Sequence, residues 1–184
     1  MVILDDLAGS PDGRSAHREP RCWLYSKSRL ETPMVPFIVL VTLFVLASIL
    51  EHFLVPISVP YSWRTSLRLA LSGMFLLTAS GHWGKRRQDL IRMVPPALPC
   101  PDLLVTVTGI LEVLGAIGLL LPAVARYAAL GLSLMLIAVF PANVYAAQKH
   151  LTIAGRPVQT LVPRALMQIV FLSATVAVFL GGPH

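Results

Sequence analysis

The apolar residues of the chain collect into five blocks that alternate with short polar segments. We place these blocks at residues 34–54, 65–82, 103–121, 124–144 and 163–180. Each block approaches the roughly 20 apolar residues that a helix needs to cross a ~30 Å hydrocarbon layer. Runs such as Ile38–Leu50 do not alternate with a period of two, as the strands of a membrane barrel would. Lipid offers no partner to an open backbone, so the pattern predicts an all-α bundle of five membrane-spanning helices.

Composition leads to the same class of protein. Of the 184 residues, 55% are hydrophobic and only 13% are charged. Soluble domains carry about 25% charged residues, so the composition excludes a water-soluble globular enzyme. The segments between the blocks are also too short to form an independent folded domain. Any chemistry must therefore lie within the helices or directly beside them.

The basic residues are unevenly distributed between the two ends of the predicted bundle. Of the 15 lysines and arginines, 12 fall in the N-terminal tail, the loop 83–102 and the region 145–164. The other end has only Arg64, Arg68 and Arg126. This asymmetry predicts a bacterial cytoplasmic (inner) membrane protein with its N-terminus in the cytoplasm and its C-terminus outside. The net charge of +6 then reflects orientation and attraction to anionic lipid, and does not indicate nucleic acid binding.

Residues 1–33 differ from the rest because they combine mixed charges with little hydrophobic periodicity. They predict a disordered cytoplasmic tail. Met34 directly precedes the first block, so the alternative is that translation starts there and the tail is absent from the native product. Cys22 and Cys100 form neither a C-x-x-C pair nor a metal-binding cluster. We expect reduced thiols and no metal site.

Glu112 lies at the midpoint of the third block. An acidic residue there costs on the order of 2.5–3.5 kcal/mol on insertion scales. The cost is tolerated when the carboxyl group is protonated, paired or faces a wet interior. Thr108 and Gly115 lie one turn away on the same helical face. Two interpretations stay open, a proton-carrying or ligand-orienting acid and a carboxyl group that joins helices through hydrogen bonds.

The predicted topology brings further polar residues to the cytoplasmic half of the bundle. His82 ends the second block and Asn143 lies at the end of the fourth, while Arg164 begins the fifth with Gln168 one turn deeper. The alternative structural roles are a hydrogen-bonding helix end for His82 and snorkelling to headgroups for Arg164. We predict one intramembrane polar pocket with six lining residues: His82, Thr108, Glu112, Asn143, Arg164 and Gln168.

Two charged residues at the opposite end predict a structural contact. Glu51 lies one turn inside the end of the first block, and Arg68 lies about one turn inside the start of the second. Because their depths match, we expect an ion pair that ties the first helix to the others. A charge-swapped double variant would then recover the stability that the single variants lose.

A series of short motifs resembles the DoxX-like membrane proteins. The motifs are Ser80–Trp83, Met93–Pro96, Thr108–Glu112 and Pro141–Tyr145. The resemblance covers residues 65–180 and implies a four-helix membrane core, to which 34–54 adds an extra N-terminal helix. Trp83 stands where phenylalanine is common in the family. The family includes a membrane subunit of a thiosulfate:quinone oxidoreductase, and most of its members have no established activity.

Two functions are consistent with these features. The first is an accessory membrane subunit, not catalytic on its own, whose pocket binds a quinone-like small molecule in a redox or stress-related system. A soluble redox partner would then dock on the basic loop 83–102. The second is a non-enzymatic assembly factor or small transporter, in which Glu112 serves packing or an ion path. No cysteine redox pair, haem signature or nucleotide motif supports a self-sufficient oxidoreductase.

Overall fold

The computed structural model describes residues 35–54, 62–153, 155–157 and 159–181, and the predicted tail 1–33 lies outside them. The described chain is almost entirely helical, as predicted. Its helices are α1 (Val35–Leu54), α2 (Trp63–Ala79), α3 (Arg87–Met93), α4 (Pro101–Leu120), α5 (Ala125–Gln148) and α6 (Leu161–Leu180). A single 3₁₀ turn, Ser80–His82, follows α2. Between α5 and α6, the two-residue strands β1 (Thr152–Ile153) and β2 (Arg156–Pro157) pair antiparallel.

Four of these helices, α1, α4, α5 and α6, are long and apolar enough to cross a membrane. The second predicted block became α2, which has 17 residues and includes Arg64 and Arg68. The fourth block extends further than expected, because α5 continues through Pro141 to Gln148. The sequence pattern thus predicted where the helices lie, while the number of membrane crossings depends on α2.

Helices α2 and α4 pack antiparallel along their whole length. Ser72 donates a hydrogen bond to the carbonyl oxygen of Ala116 over 2.8 Å near the middle of the seam. Arg68 reaches the carbonyl oxygen of Leu119 at one end of α4. At the other end, the 3₁₀ turn after α2 contacts the first half of α4. Polar side chains of α2 thus set its register against α4.

Helices α5 and α6 form a second antiparallel pair, and α6 also returns to α2. Ser133 donates a hydrogen bond to the Thr175 hydroxyl over 2.8 Å in the buried part of this seam. At one end of the bundle, Arg64 donates to the carbonyl oxygen of Gly181 over 2.7 Å. Since α4 also packs on α5, the four helices α2, α4, α5 and α6 form a closed bundle.

The core lies where these four helices meet. Its largest fully buried apolar side chains are Phe75, Leu71, Met74, Leu119 and Leu132. Helix α1 packs on α2 at a notch, since a Cβ atom at Gly73 would collide with Cδ1 of Leu43. The outward faces of the helices carry many exposed leucine, isoleucine and valine side chains, which is typical of helices that face lipid.

Candidate functional site

Glu112 is contacted by two polar side chains from the end of α2 and the turn that follows it. Thr78 Oγ1 lies 2.9 Å from Glu112 Oε2 and donates a hydrogen bond to it. His82 Nε2 lies 3.7 Å from Glu112 Oε1. The side chains of His82 and Glu112 are only 11% and 14% exposed. A carboxyl group in the middle of α4 is therefore matched by a hydroxyl and an imidazole.

The protonation state of one imidazole nitrogen follows from its neighbour. His82 Nδ1 lies 2.6 Å from the carbonyl oxygen of Val105, which can only accept a hydrogen bond, so Nδ1 carries a hydrogen. Thr108 Oγ1 is a more distant neighbour of Nδ1 at 3.5 Å. Nε2 is thereby left facing Glu112. Nε2 is therefore the imidazole nitrogen available to Glu112 or to a bound molecule.

A small residue and an arginine place His82 in this position. His82 packs directly on Gly109, where an added Cβ atom would lie 2.7 Å from His82 Cβ. Arg87 donates to the His82 carbonyl oxygen over 3.1 Å and to Thr106 Oγ1 over 2.9 Å. Arg87 thus ties the turn that carries His82 to the first half of α4.

Sequence reasoning missed Thr78 and Arg87. Thr78 stands four residues before His82, so helical spacing offered a signal that it shares the face of His82. Arg87 was considered only as one of the loop charges, and its contacts depend on how the chain turns after α2. No feature of the sequence marks it apart from its basic neighbours.

The other three predicted site residues form a separate centre between α5 and α6. Asn143 Nδ2 donates to Gln168 Oε1 over 2.9 Å, and Arg164 donates to Asn143 Oδ1. Gln168 in turn donates to the carbonyl oxygen of Leu136. That carbonyl lies five residues before Pro141, so the bond links α6 to the stretch of α5 that precedes the proline.

The structure therefore places the six predicted residues in two centres. Within the described ranges, no hydrogen bond or ion pair joins Glu112 or His82 to Asn143, Arg164 or Gln168. Glu112 faces α2, whereas Asn143 and Gln168 face each other across the α5–α6 seam. A groove of about 240 Å³ between α4 and α5 is lined by none of the six residues.

The predicted ion pair between Glu51 and Arg68 is wrong. Glu51 Oε2 accepts a hydrogen bond from Ser66 over 3.0 Å. Arg68 instead donates to the carbonyl oxygens of Leu119 and Leu120, at 2.8 and 3.3 Å. The last carbonyl groups of a helix have no partner within it and form the negative end of its dipole. The carbonyl groups at the end of α4 therefore compete with Glu51 for the Arg68 guanidinium. The equal depth of Glu51 and Arg68 was not sufficient to pair them.

The described residues contain no group of three or more histidine, cysteine, aspartate or glutamate side chains able to hold a metal ion. Cys100 is exposed and its thiol is free, while Cys22 lies outside the described residues.

The comparison with protein-family models gives one match, to a domain of unknown function (DUF8561), over residues 71–179. The chain belongs to the DUF8561 family. The DUF8561 segment runs from α2 to α6 and contains both polar centres, while α1 precedes it. No curated protein and no solved structure matches the chain.

Proposed function

We propose that the chain is an integral protein of the bacterial cytoplasmic membrane with five spans, a cytoplasmic N-terminus and an external C-terminus. Four helices have the necessary length and apolar character. Support for α2 as the additional span comes from its packing along the full length of α4. With the 3₁₀ turn included, α2 extends over residues 63–82, which is 20 residues at 1.5 Å each.

A distant relation to the DoxX-like proteins is part of this proposal. The motifs Ser80–Trp83, Thr108–Glu112 and Pro141–Tyr145 all lie inside the matched segment 71–179. Helix α1 lies before it, where an additional N-terminal helix would be expected. An experimental structure whose α2, α4, α5 and α6 superpose on a DoxX-like core would support the relation, and a different helix order would contradict it.

The His82–Glu112 pair binds a quinone-like small molecule, and the protein is an accessory subunit of a redox or stress-related system. The observation that carries this proposal is the orientation of His82, whose Nδ1 is held by Val105 while Nε2 faces Glu112. A protonated Nε2 donates a hydrogen bond to a ring carbonyl of the ligand. Glu112, held by Thr78, keeps the proton available at that position. The bound quinone supplies the electron chemistry.

A separate soluble protein delivers the electrons in this proposal. The loop 83–102 carries Lys85, Arg86 and Arg92 at the same end of the bundle as His82. The first two of these side chains are exposed, and that of Arg92 is 60% exposed. An acidic patch on the partner fits such a surface. The chain on its own therefore binds the ligand and does not turn it over.

Fluorescence of Trp83 tests the binding site. Its ring centroid lies 6.2 Å from that of His82, so a bound quinone quenches it. Replacing Trp23 and Trp63 by phenylalanine leaves Trp83 as the only tryptophan. We expect a short-chain quinone analogue to quench this protein in detergent. His82→Gln and Glu112→Gln are expected to weaken binding by about ten- to a hundredfold each, since a hydrogen bond involving a charged group contributes ~1.5–3 kcal/mol.

Glu51→Gln is the matched control, because Glu51 is also a partly buried carboxyl group that accepts a hydrogen bond from a hydroxyl of α2. The Glu51→Gln variant is expected to leave quinone affinity unchanged. Unaltered affinity in both His82→Gln and Glu112→Gln, with folding intact, contradicts the proposal.

A structural or transport role is the alternative function, and the Thr78–Glu112 hydrogen bond between α2 and α4 favours it. In that case Glu112→Gln lowers the melting temperature or abolishes proton flux into liposomes without altering quinone quenching. The two sets of results are mutually exclusive for Glu112, so one series of variants decides between the functions.

A further inference from the structure

The second polar centre contains an arginine whose charge is not balanced by a carboxylate of the described chain. Arg164 lies in the first turn of α6 and is half-buried. Its Nη2 donates to the side-chain oxygen of Asn143, which is neutral. Its Nε atom is buried and has no hydrogen-bond partner among the described residues.

The carboxylates of the described residues are engaged elsewhere. Asp89 pairs with Arg92, Asp102 lies 3.9 Å from Arg87, and Glu112 lies 3.7 Å from His82. Glu51 is bonded to Ser66 at the other end of the bundle. A partly buried cation without a counter-charge is unfavourable, so Arg164 has a reason to recruit an anion from outside the described residues.

The amides beside Arg164 orient the guanidinium without neutralising it. Gln168 donates to the Leu136 carbonyl, and its side-chain oxygen accepts from Asn143. This chain of bonds fixes Asn143 with its oxygen towards Arg164. The guanidinium is therefore held in one orientation, with Nε and Nη1 making no hydrogen bond to the described residues. The start of α6 adds no negative charge, since its first turn has no acidic residue.

The geometry points to Arg164 as a binding site for a phosphate group, held by the guanidinium that Asn143 and Gln168 orient. Guanidinium binds phosphate through two parallel N–H donors, and this geometry is favourable where the arginine is already ordered. In Arg164 this pair is Nη1 and Nη2, because Nε is buried. Arg164 begins a helix long and apolar enough to cross a membrane, which is the depth of lipid headgroups. The phosphate can belong to an anionic phospholipid or be free in solution. This site is independent of the function proposed for His82 and Glu112.

The test uses the full chain in nanodiscs of phosphatidylcholine, with and without phosphatidylglycerol, and in phosphatidylcholine with inorganic phosphate added. The response is the rise in melting temperature on adding each anion. We expect a response in the wild-type protein and its loss by more than half in Arg164→Gln. A response to phosphatidylglycerol alone identifies a lipid, and an equal response to inorganic phosphate identifies a free anion.

Two arginines serve as matched controls. Arg86 is exposed at the same end of the bundle, and Arg126 lies in the first turn of α5 at the opposite end, over the ring of Phe179. Arg86→Gln and Arg126→Gln are expected to keep most of the response, because general attraction of basic residues to anionic lipid does not depend on Arg164.

Asn143→Asp separates an anion site from a purely structural arginine. It places a carboxylate beside Arg164 within the chain and is expected to abolish the response, whatever its effect on the melting temperature in phosphatidylcholine. The proposal is overturned if wild type shows no response to either anion, a result that needs no variant to fold. It is equally overturned if Arg164→Gln or Asn143→Asp responds as wild type does.

Discussion

At the scale of single residues, several polar side chains of α2 and of the turn that follows it bond to the backbone of α4. Ser72, Arg68 and His82 each use a carbonyl oxygen of α4 as their acceptor. A helical carbonyl oxygen has a second lone pair, and those at a helix end have both free. A polar side chain can therefore be satisfied at almost any depth without a matching side chain opposite. This is why a search for complementary side chains proposed Glu51 for Arg68 and did not find Leu119.

Gly109 is the residue that allows His82 to approach α4. We expect Gly109→Ala to lower the free energy of unfolding by ~1–2 kcal/mol, because the added methyl group overlaps His82 and overpacking of this kind costs about 1–3 kcal/mol. The displaced imidazole also loses its position beside Glu112, so quinone quenching of Trp83 weakens. Both effects can be measured on one detergent-purified sample.

Gly131→Ala is the control for Gly109→Ala, since an added Cβ atom at Gly131 meets nothing within 4 Å. Its stability is expected to stay the same or rise by up to about 1 kcal/mol, the helix-propensity difference between the two residues. If both variants behave alike, close packing of His82 on α4 does not account for the requirement for glycine.

The candidate site could be predicted from the sequence only in part. Glu112 and His82 were identified because charged or titratable groups in apolar blocks are costly and need partners. Their separation from Asn143 and Gln168 was not predictable. Helices that are apolar on most sides do not reveal from their own sequence which face turns to which neighbour.

At the scale of elements, the positions of the helices follow directly from the hydrophobic blocks. Helix α5, which corresponds to the fourth hydrophobic block, shows the limit of local rules. Pro141 is expected to bend or end a helix, yet α5 runs on to Gln148. Gln168 of α6 donates to the Leu136 carbonyl in the stretch before Pro141, so a neighbouring helix adds a hydrogen bond to α5 close to the proline. That contact lies outside any local sequence window.

The attachment of α1 and α4 to α2 can be tested with a double-mutant cycle on Glu51 and Arg68. Arg68→Gln is expected to lower the free energy of unfolding by about 1–2 kcal/mol, because it removes hydrogen bonds to the end of α4. Glu51→Gln costs less, because an amide oxygen still accepts from Ser66.

The coupling energy between these two variants is expected to stay within ~0.5 kcal/mol, as for residues that do not interact. The charge-swapped protein Glu51→Arg/Arg68→Glu is correspondingly less stable than either single glutamine variant. Recovery of wild-type stability after the swap would instead indicate that Glu51 and Arg68 do form an ion pair. Thermal or denaturant unfolding in detergent provides the measurement.

At the scale of the whole molecule, the number of spans decides where the two ends of the bundle lie. Cys100 precedes α4 at the end that carries His82, and Gly181 follows α6 at the end that carries Arg64. In a Cys22→Ser background, we expect Cys100 to react with a membrane-impermeant maleimide only after cells are opened. In a Cys22→Ser/Cys100→Ser/Gly181→Cys variant, the introduced thiol is expected to react in intact cells.

Three helices, α4, α5 and α6, lie between the two positions. Labelling of both positions from the same side would therefore contradict three membrane crossings by these helices. Labelling of the two positions with their sides exchanged would keep these three crossings and invert the orientation. A lysate-labelled sample of each variant controls for thiol reactivity, since Cys100 is exposed in the structure.

The neighbours of each long helix in space are largely its neighbours along the chain. Helix α1 packs on α2, α4 on α2, α5 on α4 and α6 on α5, and the Arg64–Gly181 bond closes the bundle last. During synthesis, each newly emerged segment therefore finds a docking surface that has already been made. The helices can therefore pack during synthesis without a long-lived intermediate, because few contacts depend on residues that have not yet been synthesised. Only the packing of α6 on α2 must await the synthesis of α6.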